Sequence, residues 1–377
     1  MMKKTATLTL FLALTGMVRA NPYFAIIDAG SSGSRLYVYK VSDGPSREPV
    51  VESLAVSNSK ITPGISTSLS ACGAYVEPLL TRLNETLVQQ GIPASGVTVA
   101  LLATAGMRVE SPQLQKRCYD DVTARFGVSV PGVVPGPVQT IQGRYEGALQ
   151  WLTVNHLNHA LSTGAKTRGV LEIGGGSYQM AFETGDRHPG TIDFISVSYA
   201  GVPHELFSRS YTGLGGNYSR EDATDDPNAF PVEYPLASGA TGSGHYDKGR
   251  VSVRKSIRAK PTAIPASAKK PKLSEFIGVG LFKNIATDVR LGSAYTADQL
   301  DAAARVIAMT PWPEQLAGDP DNPFLFSEVY TSQLVSEMLR TWFPPNHALE
   351  VADSIEGTPL NWTLGAALFL QSGNVLP

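Results

Sequence analysis

Apolar residues occur along this chain in short blocks separated by glycine and serine, and the blocks predict alternating strands and helices. Residues 24–30 (FAIIDAG) and 34–41 (SRLYVYKV) read as two strands joined by a Gly/Ser turn. Residues 96–108 (GVTVALLATAGMR) read as a buried strand running into a loop. Residues 111–126 (SPQLQKRCYDDVTARF) follow as a helix, with Ser111 as its cap and Pro112 in its first turn. Residues 143–157 (GRYEGALQWLTVNHL) are helical and align Tyr145, Leu149 and Leu152 on one face. Residues 168–183 (RGVLEIGGGSYQMAFE) repeat the order strand, glycine turn, strand. Between Gly213 and about Lys272 the pattern breaks into Gly, Pro, Ser, Asp and Lys, which predicts a long, mobile, irregular insertion. Its basic second half, residues 248–260, reads as solvated surface. Residues 274–282 form a further strand, 327–343 an amphipathic helix, and 361–371 (NWTLGAALFLQ) a short apolar helix.

The first twenty residues are expected to lie outside the fold. Lysines at positions 3 and 4, an apolar stretch from Leu8 to Leu14 and the small Ala20 make the layout of a cleaved secretory leader. No other stretch approaches the length of a membrane span. The mature protein is therefore expected to be soluble and exported, secreted or periplasmic. What remains is long enough for two domains. A formal net charge of −2 argues against a nucleic-acid binder with a broad basic surface. Cys72 and Cys118 allow a single pairing; export makes a disulfide possible, and two free buried thiols remain an equal alternative.

Two segments carry the same device. Asp28-Ala-Gly-Ser-Ser-Gly-Ser and Glu172-Ile-Gly-Gly-Gly-Ser each end a strand in an acid, turn through glycine, and begin another strand. Neither turn feeds a helix, so neither is a P-loop or dinucleotide fingerprint. A glycine hairpin can still present successive backbone N–H groups to an anion, and two such hairpins facing each other would clamp a polyphosphate. The two acids would then repel the phosphates unless a cation lay between, held through ordered waters as Mg²⁺ often is. Hydrolysis further needs a base, and Glu146, on the helix between the halves, is the candidate.

Taken together, IDAGSSGSR, LLATAGMR, GRYEGALQWLTVN, LEIGGGSYQ and NWTLGAALF resemble, in order, the five apyrase conserved regions of the ecto-nucleoside triphosphate diphosphohydrolases. Residues 234–246 (YPLASGATGSGHY) also look like a family segment. The resemblance implies an α/β fold of two ribonuclease-H-like lobes, of the actin/Hsp70/hexokinase type, with the active site in the cleft between them. Lobe I is expected over residues 21–145 plus the returning 350–377, and lobe II over 146–349. The implied activity is metal-dependent hydrolysis of nucleoside tri- and diphosphates, with Mg²⁺ or Ca²⁺ as cofactor and a nucleotide as the partner of a monomer.

Carried over residue by residue, the resemblance makes Glu146 the base, with Ser177 and Gln179 helping it to position water. Ser31, Ser32 and Gly33 belong to the first phosphate loop, and Gly174, Gly175 and Gly176 to the second. Asp28, Thr104, Glu172 and Trp362 would hold the metal through waters. Arg35 could reach a phosphate or brace its hairpin, and Arg108 is read as a brace of its own loop. Phe282, Asn284 and Tyr330 are candidates for the base site by position alone. The chain departs from the family's pattern at Glu172, where the family usually has Asp, and at Tyr178, larger than the usual neighbour of the second loop. It also lacks the multiple disulfides of animal members, which suggests a microbial form. An exopolyphosphatase or guanosine pentaphosphate phosphatase of the same fold is the nearest rival, and a non-catalytic actin-like nucleotide binder the rival of another class.

Overall fold

The computed structural model of the chain describes residues 22–44, 48–185, 192–221 and 223–377; the expected leader lies outside them. Two sheets organise the molecule. The first is built from β1 (Tyr23–Ala29), β2 (Ser34–Asp43), β3 (Pro49–Leu54), β4 (Lys60–Ile61), β5 (Val97–Ala103) and β6 (Val134–Thr140). Its order is β3-β2-β1-β5-β6, with β4 on β2. β1 and β5 at its centre pair in parallel and are buried along most of their length, as their near-continuous apolar sequences require.

On one face of this sheet lie α1 (Cys72–Gln90) and α3 (Pro112–Ser129), while the short α2 (Ala105–Arg108) follows β5. Ser111 caps α3, its hydroxyl accepting from the Leu114 N–H. Cys72 and Cys118 are joined in a disulfide that ties α1 to α3 beneath a core including Ile27, Leu80, Leu101 and Phe126.

α4 (Gly143–Leu157) and α5 (Ala160–Thr163) lead to the second sheet. That sheet contains β7 (Gly169–Ile173), β8 (Ser177–Glu183), β9 (Phe194–Tyr199), β10 (Val202–Thr212), β11 (Phe276–Gly280), β12 (Ala294–Thr296) and β13 (Ala348–Val351), in the order β12-β13-β11-β7-β8-β10-β9. Its helices are α6 (Gly216–Glu221), α7 (Tyr246–Arg258), α8 (Leu281–Asp288), α9 (Ala297–Met309), α10 (Trp312–Gly318) and α11 (Glu328–Trp342). The strand expected to reach residue 282 stops at Gly280, whose φ of +63° turns the chain into α8. A small β14–β15 hairpin (Ser354–Ile355, Thr358–Pro359) precedes α12 (Trp362–Gln371).

α4 and α12 lie between the sheets, and one cluster joins Ile26 and Leu102 of the first sheet to Val170, Leu206 and Val279 of the second through Trp151, Trp362 and Leu368. α4 thus has no solvent face: residues Glu146 to His156 are all buried, rather than one stripe as its spacing suggested. The two helices cross so closely that a Cβ on Gly365 would sit 1.9 Å from the Leu149 carbonyl oxygen.

The segment 213–272 differs from expectation in being anchored. The N–H groups of Gly216 and Asn217 donate to the carbonyls of Gly174 and Gly175, fastening α6 to the second glycine turn. The basic stretch expected at the surface forms α7. Its Arg250, 8% exposed, donates to Glu337 of α11 (2.5 and 2.8 Å) and to Asp301 of α9 (2.8 Å), and Arg254 also reaches Glu337. Removing one member of a buried ion cluster strands the others, which costs about 3–5 kcal/mol. α11, expected to be amphipathic, is accordingly buried nearly all round. No helix among the described residues is long and apolar enough to cross a membrane.

Candidate active site

The two acid–glycine segments fold into matching hairpins. In the first, Asp28 pairs across the strands with Arg35, and Gly30 N–H donates to Gly33 O at 2.9 Å. In the second, Glu172 pairs with Gln179, and Gly174 N–H donates to Ser177 O at 2.9 Å. Each acid-bearing strand has a parallel neighbour, β5 beside β1 and β11 beside β7. The turns approach each other across the cleft: a Cβ on Gly176 would fall 2.6 Å from the Cβ of Ala105, so glycine is what lets the lobes meet there.

Between the turns lies a cavity of about 210 Å³. Asp28, Ser31, Ser32, Arg35, Thr104, Glu146, Glu172, Gly174, Gly175, Gly176, Ser177 and Trp362 all line it, as do Tyr37, Gln150 and Asn361. Gly33 sits behind the first turn, against Ile61 O, and Gln179 is buried beside Glu146. Arg35 lines the cavity, and its guanidinium makes no hydrogen bond or ion pair among the described residues.

Glu146 is held on one side only. Arg108 Nη2 donates to its Oε2 at 2.5 Å and Gln179 Nε2 to the same oxygen at 3.2 Å, leaving Oε1 for a ligand. Arg108 is itself fixed by donating from Nε to Ile141 O at 3.0 Å. It therefore does more than brace its loop, a role hidden by the 38 residues that separate it from Glu146. Ser177 Oγ accepts from Gln179 Nε2 at 2.5 Å and from Arg108 Nη1 at 3.4 Å. With both lone pairs engaged, its hydroxyl proton is free to donate into the cleft. Gln150 also went unread, although it stands one helical turn beyond Glu146 on the same face.

Three carboxylates share this space, Glu146 buried and Asp28 and Glu172 half-buried, and their charges conflict. Burial first, and Glu146 second, push the Asp28 carboxyl up to about 7, against the pull of Arg35. Burial, then Glu146 and Asp28, hold Glu172 well above the usual carboxylate range, opposed by Arg108. Glu172 Oε2 is buried with no hydrogen-bond partner among the described residues, an arrangement costing about 1–3 kcal/mol. A hard divalent cation reached through waters fits this donor set: oxygen ligands, excess negative charge and an oxygen awaiting a donor. Among the described residues no three His, Cys, Asp or Glu side chains could enclose an ion directly, so waters would complete its shell.

Four of the singled-out residues lie outside the cleft. Phe282 is fully buried, edge-on to Tyr178 in the lobe II core, and Tyr330 is 3% exposed with its hydroxyl donating to Ser219 O; neither can contact a ligand. Asn284 is exposed and lines a separate cavity of about 400 Å³ that also reaches Gly216, Asn217 and Phe324. Phe324, 61% exposed, is the aromatic available there. Tyr178 does not face the site: strand alternation sends it into the core, stacked on Tyr211, while Ser177 and Gln179 point to the cleft.

Comparison with known proteins agrees with this architecture. Residues 17–226 match the model of the GDA1/CD39 (nucleoside phosphatase) family. A nucleoside-triphosphatase of Pisum sativum is 27% identical over 63% of this chain and 58% of its own length, so the chain spans less than two thirds of that relative. Ectonucleoside triphosphate diphosphohydrolase 6 of Rattus norvegicus is 25% identical over 91% of this chain and 80% of its own. Among solved structures, a nucleoside triphosphate hydrolase from Neospora caninum superposes with a TM-score of 0.65, covering 93% of each chain at 15% identity. A Ppx/GppA family member from Aquifex aeolicus does so at 0.55 and 14% identity, covering 93% of this chain and 98% of that one. The duplicated acid–glycine hairpins, the two-lobed fold and the matched residues lead to one assignment: the chain belongs to the GDA1/CD39 family of nucleoside phosphatases.

Proposed function

We propose that this protein hydrolyses nucleoside tri- and diphosphates to the monophosphate and phosphate, with Mg²⁺ or Ca²⁺ in the cleft. The observation that carries this reading is the set of three carboxylates, buried Glu146 and half-buried Asp28 and Glu172, lining one cavity between two amide-bearing glycine turns. Such charge is tolerable only with protons or a cation among them. Asp28, Thr104, Glu172 and Trp362 would hold the cation's waters, and when bound the ion neutralises charge on the phosphates. Ser31, Ser32, Gly33 and the 174–176 turn would grip the phosphates, with Arg35 free to join them.

The chemistry assigned to the chain's own groups is an in-line displacement. A water held by Glu146 Oε1, Ser177 and Gln179 attacks the terminal phosphorus. Its proton passes to Glu146 as the new P–O bond forms and the bridging P–O bond opposite breaks, with the charge leaving on the nucleotide's phosphate. Arg108 keeps Glu146 in place. The 400 Å³ cavity beside the second turn, with Asn284 and Phe324, is the proposed base site; a polyphosphatase would have no use for it.

Phosphate release from ATP, ADP, AMP and long-chain polyphosphate, with Mg²⁺, with Ca²⁺ and with chelator, tests the proposal. Release from ATP or ADP but not AMP, abolished by chelator and reduced about 10²–10⁴-fold in Glu146→Ala, is expected. Hydrolysis confined to polyphosphate would transfer the protein to the other activity of this fold. A Glu146→Ala variant as active as wild type would remove Glu146 as the base. We further propose that residues 1–20 direct export; N-terminal sequencing of protein recovered outside the cytoplasm should begin at Asn21.

A further inference from the structure

Among the described residues, Gln150 and Glu172 line the same cavity and each has a buried polar atom without a partner, and their needs are complementary. Gln150 is 1% exposed, lines the 210 Å³ cavity, and its Nε2 makes no hydrogen bond among the described residues. Glu172 lines the same cavity, and its Oε2 accepts none. Protein interiors rarely leave such groups unsatisfied, because each costs about 1–3 kcal/mol. Had the two met, they would have bonded each other. Both residues line one cavity of about 210 Å³, which has room for several waters.

The surroundings of Gln150 indicate what that molecule serves. One face of its helical turn meets the start of α12: Thr153 Oγ1 donates to Asn361 O at 2.9 Å and accepts from Gly365 N–H at 2.8 Å. This contact brings Asn361 and Trp362 to the same cavity wall. α4 also packs on β7, the strand that carries Glu172. Side chains on a helix lean towards its N-terminus, so Gln150 reaches back towards the turn of Glu146. Its amide thus stands among the carboxylates whose charges call for a cation. A side-chain amide can present either its N–H or its C=O by a half turn, so it can serve a water in either orientation.

We propose that Gln150 is a cation-positioning residue, sharing with Glu172 a water of the divalent ion's hydration shell and so raising the cleft's affinity for the ion. This rests on the hydrolase reading above. Gln150 touches neither the phosphates nor the attacking water; it acts through the shell.

Calorimetric titration of MgCl₂ and of CaCl₂ into nucleotide-free protein, compared for wild type, Gln150→Met and Gln150→Glu, tests the proposal. Met keeps the length and loses the polarity, while Glu keeps an oxygen that can accept from the same water. The expected result is about tenfold weaker cation binding in Gln150→Met, with recovery to within about threefold of wild type in Gln150→Glu. Steady-state kinetics at saturating cation should then give Gln150→Met a nucleotide KM within twofold of wild type. Thermal melts check that both variants are folded, and Gln150→Asn replaces Gln150→Met if it is not. Unchanged cation affinity in a folded Gln150→Met protein would overturn the proposal and leave the hydrolase reading standing. A nucleotide KM raised at saturating cation with unchanged cation affinity would also overturn it, making Gln150 a phosphate contact. A wild-type protein that binds no cation and hydrolyses nothing would overturn the hydrolase reading, and this proposal with it.

Discussion

The two hairpins share a turn bond, an acid at the same register and a parallel strand alongside, yet they differ in what stands opposite the acid. Asp28 faces Arg35, a cation within its own hairpin. Glu172 faces Gln179, a neutral amide that donates to Glu146 rather than to Glu172. One duplicated scaffold has thus divided its tasks. The first hairpin carries a guanidinium that partly offsets its acid and that, on the proposed function, is available to phosphate. The second leaves its acid uncompensated, and its facing residue donates to Glu146, the proposed base.

The sharpest way to break this comparison is to remove the facing residues one at a time. Gln179→Leu should lower kcat about 10²-fold, since Glu146 loses one of two bonds and Ser177 its close partner. Arg35→Leu should raise KM about tenfold with kcat within a few-fold. Equal effects on kcat would mean that the hairpins are not functionally divided.

Next in size is a stability effect with a definite sign. The Asp28 carboxyl is raised from an ordinary value of 3.8 to about 7 in the fold. The native state therefore binds this proton more tightly than the unfolded chain does. The stability it contributes is full below about pH 4 and is lost as pH rises through 7. Cation-free Asp28→Asn should accordingly melt higher than wild type at pH 8, by a margin on the order of a few kcal/mol, while losing turnover. Glu172→Gln should behave alike, because its shift has the same direction. A lower melting point in both variants would count against charge conflict in the cleft.

A smaller contrast sets structure against function within lobe I. Reducing the Cys72–Cys118 bridge opens a link across 46 residues, worth up to about 4 kcal/mol in the chain-entropy account. The melting point should fall while kcat at 25 °C stays unchanged. The smallest effect belongs to Tyr178→Phe. Its ring lies in the core, so kcat and KM should remain within twofold; a larger change would return this position to the site.

What could be read in advance follows from the range of the interactions involved. The hairpins and the α3 cap were legible because strand pattern and capping act over a few residues. The face of α4 was not, because the helix is enclosed by both sheets and α12, and no single stripe marks such a position. Residues 213–272 looked irregular because what orders them is distant: carbonyls of Gly174 and Gly175 for α6, and Glu337 for α7. Phe282 was misplaced because the strand ends at Gly280, two residues earlier than its apolar run suggested, and the following helix turns that ring inward.

The position of α12 has a consequence for when this protein can act. Asn361 and Trp362 complete a cavity most of whose other walls come from residues 28–177, the Thr153–Asn361 contact alone spanning 208 residues. During synthesis the residues of both glycine hairpins are made well before those of α12. A protein truncated after Leu360 should be inactive, and adding residues 361–377 as a separate peptide should restore part of the turnover if the wedge is all that is missing. On the proposed function α12 would then serve as a timer, keeping hydrolysis silent until residues 361–377 have been made.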